Sequence, residues 1–127
     1  MEHNKRILVI DDEAHIRRVI ELKLKKRGYY VIMATNGEEG LEIIRAQRPD
    51  AVISDIRMPK LDGKSLSEMT DDLKAERPFL TIIMTCSISP DDHEWVANMR
   101  DTILMEKPFS PSRLVEHIDR YFEGMIS

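Results

Sequence analysis

The sequence predicts an α/β fold, a doubly wound parallel sheet of five strands with five helices on its two faces. Three observations support this. Short apolar runs recur five times, and a segment with apolar residues at helical spacing follows each run. The runs are mostly continuous rather than alternating, as in strands buried on both faces. No linker, repeat or low-complexity segment divides the 127 residues, so we expect a single domain over residues 1–127.

The predicted strands are short, and each leads into a helix. They cover residues 7–10, 30–34, 51–55, 80–85 and 102–105. Gly28 ends the first helix, because glycine adopts the left-handed conformation after a helix without a Cβ clash. The apolar side of this first helix is predicted to comprise Ile16, Val19, Ile20, Leu22 and Leu24.

Capping residues and prolines place the other four helices. The second is predicted over residues 38–47, and the third over residues 64–76, where Pro78 stops it. Ser89 and Ser110 cap the fourth and fifth helices, and a proline follows each serine at the first helical position.

Composition limits the class of protein. Hydrophobic residues make up 42% of the chain and charged residues 33%, which is typical of a folded globular domain. The net charge of −4 does not favour direct binding to nucleic acid. The apolar run at residues 7–10 is too short for a signal peptide or a membrane span. The single cysteine, Cys86, excludes an internal disulfide, and we expect a cytoplasmic location.

Reactive side chains lie where the predicted strands end. Asp11 and Asp12 follow the first strand, Asp55 ends the third, Thr85 ends the fourth, and Lys107 follows the fifth. The carboxyl ends of parallel strands meet at one edge of the sheet, where ligands bind. Three carboxylates there would repel one another without a cation, and an all-oxygen ligand set suits Mg²⁺. A lysine and a hydroxyl beside the metal would receive a phosphoryl group, which makes the strand-end aspartate a candidate nucleophile.

A purely structural explanation of these acids is also open. An aspartate can cap a helix and suits the positive end of its dipole. Three consecutive acids at residues 11–13, with no cation close by in the sequence, exceed what a cap needs. An acid at a strand end, such as Asp55 before the turn at Pro59, is often only a turn former.

Four motifs follow one another along the chain: LVIDDE at the first strand, SDIRMPKLDG at the third, IIMTCS at the fourth and EKPF after the fifth. In their order and spacing the sequence resembles the receiver domain of two-component response regulators, the CheY-like fold, over nearly its whole length. The resemblance implies a flavodoxin-like sheet with strand order 2-1-3-4-5. It also implies a signalling domain that catalyses its own phosphotransfer and autodephosphorylation rather than an enzyme acting on a separate substrate.

The resemblance implies roles for the acidic residues and for their partners. Asp55 would be the phosphoacceptor, taking phosphate from a sensor histidine kinase or a phosphotransfer protein. Asp11, Asp12 and Asp55 would hold Mg²⁺ together with the backbone carbonyl of Arg57. This assignment makes Mg²⁺ the expected cofactor.

The resemblance also implies how the signal would leave the site. Thr85 would bond a phosphoryl oxygen and Lys107 would pair with it, and the Lys107–Pro108 bond is a candidate for the cis isomer. An output domain or partner protein would bind the face formed by the fourth helix, the fifth strand and the last helix. A homodimer through this face is possible, whereas direct binding to nucleic acid or to a membrane is not expected.

Some positions depart from the usual pattern of this family. Cys86 replaces a common alanine or glycine, and we interpret it as a tolerated small buried residue. Arg100 and Asp101 replace a common Gly-Ala pair between the fourth helix and the fifth strand. Leu104 replaces the aromatic switch residue and is expected to pack inward under the fourth helix. Trp95 could lie on the output face or in the core.

Three alternatives remain. A metal-dependent phosphatase of the haloacid-dehalogenase type would need a second aspartate two residues after the first, where this chain has Arg57, which stays protonated. A nucleotide-binding domain would need a glycine-rich turn after the first strand, where this chain has acids. A binding domain without phosphorylation chemistry is the third. The sequence leaves open the kinase, the pathway, the oligomeric state and whether the chain belongs to a longer regulator.

Overall fold

A computed structural model describes residues 4–107 and 110–124. Over these residues, five strands alternate with six helices. The strands are β1 (Arg6–Ile10), β2 (Tyr30–Ala34), β3 (Ala51–Asp55), β4 (Leu80–Thr85) and β5 (Thr102–Glu106). The helices are α1 (Ala14–Lys26), α2 (Gly37–Gln47), α3 (Gly63–Thr70), α4 (Leu73–Glu76), α5 (Pro90–Ala97) and α6 (Pro111–Gly124). No helix in the described part of the chain is long and apolar enough to cross a membrane.

All five strands are parallel, and their order is β2-β1-β3-β4-β5. This confirms the predicted doubly wound sheet with strand order 2-1-3-4-5. The register pairs Asp55 with Met84 and Thr85 with Glu106, so β3, β4 and β5 end at nearly the same level. The order and register therefore bring the residues that follow β1, β3, β4 and β5 to one edge of the sheet.

Two apolar layers enclose the sheet because β1, β3 and β4 are buried on both faces. Helices α1 and α6 cover one face, and their buried residues include Ile20, Leu24, Leu114, Val115, Ile118 and Phe122. Helices α2, α3 and α4 cover the other face with a core that includes Ile44, Leu66 and the partly buried Leu73. Burial of a side chain of this size contributes roughly 1.5–3 kcal/mol.

Two details of the helices follow from the backbone. Gly28 has a φ of 89°, which confirms that glycine ends α1 in the left-handed region. Gly40, inside α2, packs closely against β1: a Cβ there would lie 2.4 Å from Cδ1 of Ile10, so a larger residue would require that side chain to shift. The predicted apolar side of α1 was too broad. Val19 and Leu22 are 41% and 49% exposed, because the helix turns them away from the sheet.

The prediction of one continuous third helix over residues 64–76 is wrong, because this segment divides into α3 and the four-residue α4. The side-chain hydroxyl of Thr70 bonds back to the carbonyl of Leu66, an arrangement that tends to bend helices. The N–H of Lys74 then bonds to the carbonyl three residues before it, that of Asp71. The same carbonyl also accepts from the guanidinium of Arg100, which lies outside the helix.

Helix α5, the fourth helix of the sequence prediction, contains no buried residue. Its start is well defined, since Ser89 and Asp92 form a reciprocal capping box and Pro90 occupies the first turn, as predicted. Trp95 is half-buried, donates its indole N–H to Asp92 at 3.2 Å, and lies 5.7 Å from the Nζ atom of Lys64 in α3. The hydrogen bond of Trp95 is thus within α5, and its ring lies close to the start of α3.

The turn from α5 to β5 holds the Arg100–Asp101 pair. Asp101 has a φ of 44°, a left-handed conformation that costs most residues about 1 kcal/mol and aspartate somewhat less. Arg100 donates its N–H and its guanidinium to the Asp71 carboxylate at 2.9 and 2.8 Å, and Tyr121 donates to Asp101 at 2.8 Å. Lys74, only 4% exposed, bonds the carbonyl of Arg100 at 2.6 Å and that of Asp101 at 3.1 Å. These bonds stabilise the turn without the glycine that this position often has.

Candidate functional site

Three carboxylates meet at the carboxyl edge of the sheet. One oxygen from each of Asp11, Asp12 and Asp55 lies within 4.8 Å of the others. Asp11 and Asp55 are buried, whereas Asp12 is exposed. The first two follow β1 and the third ends β3, the neighbouring strand, so the cluster is a direct consequence of strand order. The structure thus brings the three predicted acidic ligands together, and metal binding by them stays a prediction.

Asp11 shows that this cluster is suited to a cation. Its Oδ1 atom accepts the N–H of Glu13 at 2.9 Å, whereas its Oδ2 atom is buried and has no hydrogen-bond partner in the described residues. Burial raises the pKa of the Asp11 carboxyl, and the charge of Asp55 adds to this rise, against the lowering effect of the Glu13 N–H. A buried, unpartnered oxygen on a carboxylate that lies close to two other acids fits a hard divalent cation with oxygen ligands.

The alternative role of these acids as helix caps is not what the structure shows. The N-cap of α1 is Glu13, and its side chain makes no capping hydrogen bond. Asp11 instead bonds the N–H two residues on, within the turn that precedes the helix.

Asp55 is held on several sides. Lys107 donates its Nζ hydrogen to Oδ2, and the backbone N–H of Arg57 donates to Oδ1 at 3.3 Å. The first residue of α3, Gly63, packs directly against the backbone of Asp55. A Cβ on Gly63 would lie 2.5 Å from the Asp55 carbonyl oxygen, so a larger residue does not fit there. Gly63 is therefore part of the support of the site, a role that sequence reasoning missed. The Arg57 carbonyl as a metal ligand stays a prediction.

Lys107 has an environment that keeps its amine charged. Burial alone would lower its pKa, but the hydrogen bond and the charge of Asp55, with the charge of Asp11, outweigh burial and raise it. The backbone N–H of Lys107 donates to the Thr85 carbonyl at 2.7 Å, which ties the residue to the end of β4. The predicted cis bond to Pro108 lies outside the described residues.

Thr85 lies at the same edge but is turned to another partner. Its hydroxyl donates to the carbonyl of Ser87 at 3.2 Å and accepts the N–H of Ser87 at 3.4 Å. The structure thus brings together the three acids and the lysine, while the hydroxyl bonds the loop that precedes α5. Both bonds are local, since they join Thr85 to the backbone two residues further along the chain.

Cys86 is exposed, so the prediction of a small buried residue at this position is wrong. The residue follows the last residue of β4, where the chain leaves the sheet, and its thiol faces a groove beside the site. This groove is also lined by His15, Ile16, Val19 and Lys107. The exposed Val19 therefore contributes to an apolar surface next to the acidic cluster.

Arg17 is a second residue that sequence reasoning missed. The sequence suggested that the acids had no cation close by, but the guanidinium of Arg17 in α1 donates to the carbonyl oxygen of Asp11 at 2.6 Å. Its position five residues after Asp12, in the first turns of the following helix, was the available signal. Because every residue has a backbone carbonyl, the sequence does not show which residue Arg17 would bond.

Fold and site together define a doubly wound α/β domain with an acidic cluster and a paired lysine at its carboxyl edge. The family model of the response regulator receiver domain matches residues 7–119. The chain is 40% identical over 119 residues to the probable transcriptional regulator ycf27 of Porphyra purpurea, covering 93% of the chain and 48% of that protein. It is 35% identical over 108 residues to the alkaline phosphatase synthesis transcriptional regulatory protein PhoP of Bacillus subtilis, covering 85% and 44%.

Solved structures agree with this match. The chain superimposes on a CheY-like response regulator receiver domain protein from Methanospirillum hungatei with a TM-score of 0.85, 29% identity and 96% coverage of both chains. For the chemotaxis protein CheY4 of Vibrio cholerae the TM-score is 0.82 at 26% identity, covering 93% of this chain and 98% of that one. The chain belongs to the response regulator receiver domain family, and it is a signalling domain of a two-component system. It spans about half the length of the curated relatives it matches.

Leu104 is half-buried on β5 and lies outside both main core clusters of the described residues. It lines a shallow groove with Glu106, Arg113 and His117, between β5 and the exposed side of α6. The expectation that it packs fully inward under the helix is thus only partly met. The side chain offers neither a ring nor a hydroxyl to this surface.

Proposed function

We propose that the chain is the phosphoacceptor domain of a response regulator, taking a phosphoryl group from a histidine kinase onto Asp55. The observation that carries this proposal is the pairing of Asp55 with Lys107, within a cluster that also contains Asp11 and Asp12. One domain over residues 1–127 would carry this activity, in a cytoplasmic protein. The family match makes a phosphatase or a nucleotide-binding domain the weaker hypothesis, and a binding domain without phosphorylation is what the experiment below tests.

The chemistry follows from the positions of the side chains. A carboxylate oxygen of Asp55 attacks the phosphorus of a phosphohistidine, a phosphorus–oxygen bond forms and the phosphorus–nitrogen bond breaks. The departing imidazole keeps the electron pair of that bond and takes a proton from water. Lys107, already bonded to Asp55, would neutralise the transferred phosphoryl oxygens. Thr85 supplies a hydroxyl at the same edge once it leaves the Ser87 backbone.

The acidic residues would hold Mg²⁺ in this reaction. Asp11, Asp12 and Asp55 offer oxygens at the cluster, and Arg57 would add its backbone carbonyl. When bound, the metal would neutralise negative charge on the carboxylates and on the incoming phosphoryl group. The unpartnered Oδ2 atom of Asp11 is the feature of this chain that supports the assignment.

Mass spectrometry of the intact protein tests the proposal. Incubation with acetyl phosphate and Mg²⁺ should add one phosphoryl group, and omission of Mg²⁺ should abolish the addition. Asp55→Asn should remove it, whereas Asp91→Asn, on the exposed first turn of α5, is the matched control and should leave it intact. The adduct should be lost in alkali, because an acyl phosphate hydrolyses. Full phosphorylation of the Asp55→Asn protein would refute the assignment.

We further propose that output runs through α5 rather than through residue 104. Leu104 has no ring to move, whereas α5 has no buried residue and its preceding loop holds the Thr85 hydroxyl. A change of partner at Thr85 would therefore release Ser87 and shift the loop and helix. A partner protein, an output domain or a second copy would then recognise the face formed by α5, β5 and α6.

Hydrogen exchange with and without beryllofluoride and Mg²⁺ tests this route of output. The amides of residues 87–99 should change their exchange rates, since this segment is bonded to Thr85 and is poorly buried. Changes confined to residues 103–105, with residues 87–99 unaffected, would instead assign the output to Leu104.

A further inference from the structure

Three hydrogen bonds hold the turn that follows β1. The N–H of Asp11 donates to the carbonyl of Ala34 at 3.3 Å, and the N–H of Glu13 donates to Oδ1 of Asp11 at 2.9 Å. The third bond joins Nη1 of Arg17 to the carbonyl oxygen of Asp11 at 2.6 Å. Because β1 ends at Ile10, this carbonyl lies beyond the strand, and the guanidinium supplies the donor that it needs.

Arg17 differs from Lys107 in what it occupies. Lys107 bonds Oδ2 of Asp55, an oxygen that a cation could otherwise use. Arg17 bonds a main-chain carbonyl, and it forms no ion pair within residues 4–107 and 110–124. Its positive charge is thus close to the acidic cluster, but Arg17 itself occupies no carboxylate oxygen there, and Oδ2 of Asp11 stays unpartnered in the described residues.

We infer that Arg17 is a positioning residue for the cation site: it fixes the Asp11 peptide and so sets the direction of Asp11 Oδ2. The inference rests on the proposed function, because it concerns the Mg²⁺ that this function requires. Mg²⁺ demands near-octahedral ligands at short distances, so its binding is sensitive to the direction of each oxygen. Groups that orient metal ligands typically contribute about 10- to 100-fold to metal affinity.

The chain offers a matched pair of variants for the test. Arg17→Met removes the donor and keeps an unbranched stem, and Arg17→Lys restores a single donor. Arg18→Met is the control, since Arg18 is exposed and its partner, Glu21 at 3.6 Å, lies on the same helix. The dissociation constants of Mg²⁺ and Ca²⁺ are measured by titration calorimetry, and the melting temperature is measured without metal.

Arg17→Met should weaken Mg²⁺ binding by about tenfold and Ca²⁺ binding by less, because Ca²⁺ tolerates irregular ligand geometry. Arg17→Lys should recover part of the Mg²⁺ affinity, and Arg18→Met should bind both ions as the wild type does. A role in folding alone would lower the melting temperature without metal and leave both dissociation constants unchanged, which would overturn the inference.

Two further outcomes keep the inference separate from the proposed function. If Arg17→Met does not fold, Arg17→Lys and Arg17→Gln are compared, and a wild-type ratio of Mg²⁺ to Ca²⁺ affinity in both overturns the positioning role. Wild-type protein that binds Mg²⁺ with the same affinity as a folded Arg17→Met overturns this role only. Wild-type protein that binds no Mg²⁺ overturns the proposed cofactor together with the inference.

Discussion

β5 has a lysine amine at each of its ends, and the two amines have opposite electrostatic environments. Lys107, after the carboxyl end, bonds the carboxylate of Asp55, and its pKa is raised. Lys74 reaches the amino end from α4 and bonds two carbonyls and the hydroxyl of Thr102, and its Nζ atom lies 4.8 Å from the centre of the Phe79 ring. Burial lowers the pKa of Lys74 to about 8, more than the charges of Asp101 and Asp71 raise it.

The difference shows that the type of acceptor decides what a buried amine can do. A carboxylate partner keeps the Lys107 charge available for an incoming anion at the edge where the acids meet. Two neutral carbonyls and a hydroxyl give Lys74 three acceptors but no countercharge in direct contact, so this amine serves to hold a turn. That turn contains Asp101 in its left-handed conformation, which the bonds from Lys74 and Tyr121 stabilise.

The largest expected effect is on the rate of phosphorylation, which should depend on Lys107 and not on Lys74. Lys107→Met should slow phosphorylation by acetyl phosphate roughly 100- to 1,000-fold, the usual cost of removing one preorganised donor from a reacting oxyanion. Lys74→Met should leave the rate within about twofold of wild type, although it should lower the free energy of unfolding by about 1–3 kcal/mol as two carbonyls lose their donor. Initial rates from intact mass and urea unfolding measure the two quantities. Equal slowing in both variants would contradict the comparison.

The next effect is the pH dependence of stability at the amino end. Lys74 loses its proton at about pH 8 in the folded protein and at its ordinary pKa of 10.5 in the unfolded chain. Below pH 8 the folded state carries the full cost of the buried charge. Between pH 8 and 10.5 the unfolded state binds more protons, so the free energy of unfolding rises with pH, by at most about 3 kcal/mol.

Urea unfolding of wild type and Lys74→Met across this pH range measures that effect. The free energy of unfolding of wild type should rise relative to that of Lys74→Met as the pH rises, because only wild type has the Lys74 amine. Other titrating groups, including Tyr121, are present in both proteins and cancel in the comparison. A difference that stays constant from pH 7 to 10.5 would show that the Lys74 amine has an ordinary pKa.

The smallest effect concerns the carboxyl end. The three acids repel one another without a cation, so Mg²⁺ at ten times its dissociation constant should stabilise the folded state by about 1.4 kcal/mol. Asp12→Ala should reduce this gain without loss of core packing, since Asp12 is exposed, whereas Lys74→Met should keep it. Melting temperatures with and without Mg²⁺ test the prediction, and a wild-type protein indifferent to Mg²⁺ would contradict it.

The sequence was sufficient for the sheet and for the acidic cluster. Continuous apolar runs locate all five strands to within a residue at each end, and parallel strand order alone brings Asp11, Asp12 and Asp55 together. The predicted cap at Ser89 likewise appears in the structure, where its side chain accepts the N–H of Asp92. These features depend on residues close in the chain or on burial, which the sequence reports directly.

The parts that the sequence did not predict depend on distant or main-chain partners. The break between α3 and α4 involves the Asp71 carbonyl and Arg100, 29 residues away. The hydrogen bond of Arg17 ends on a carbonyl, which every residue possesses. The exposure of Cys86 depends on where the chain leaves the sheet after β4. None of these features produces periodicity, and the complementary side chains of Arg100 and Asp71 lie 29 residues apart in the chain.

Trp95 gives the molecule an optical property. It is the only tryptophan of the chain, so the indole fluorescence of the protein comes from a single place. That place lies between the capping box of α5 and Lys64, the second residue of α3. Displacement of the first turn of α5 would change the polarity around the ring and the distance to its charged neighbours. Emission from this one side chain therefore reports movement between α5 and α3 without any added label.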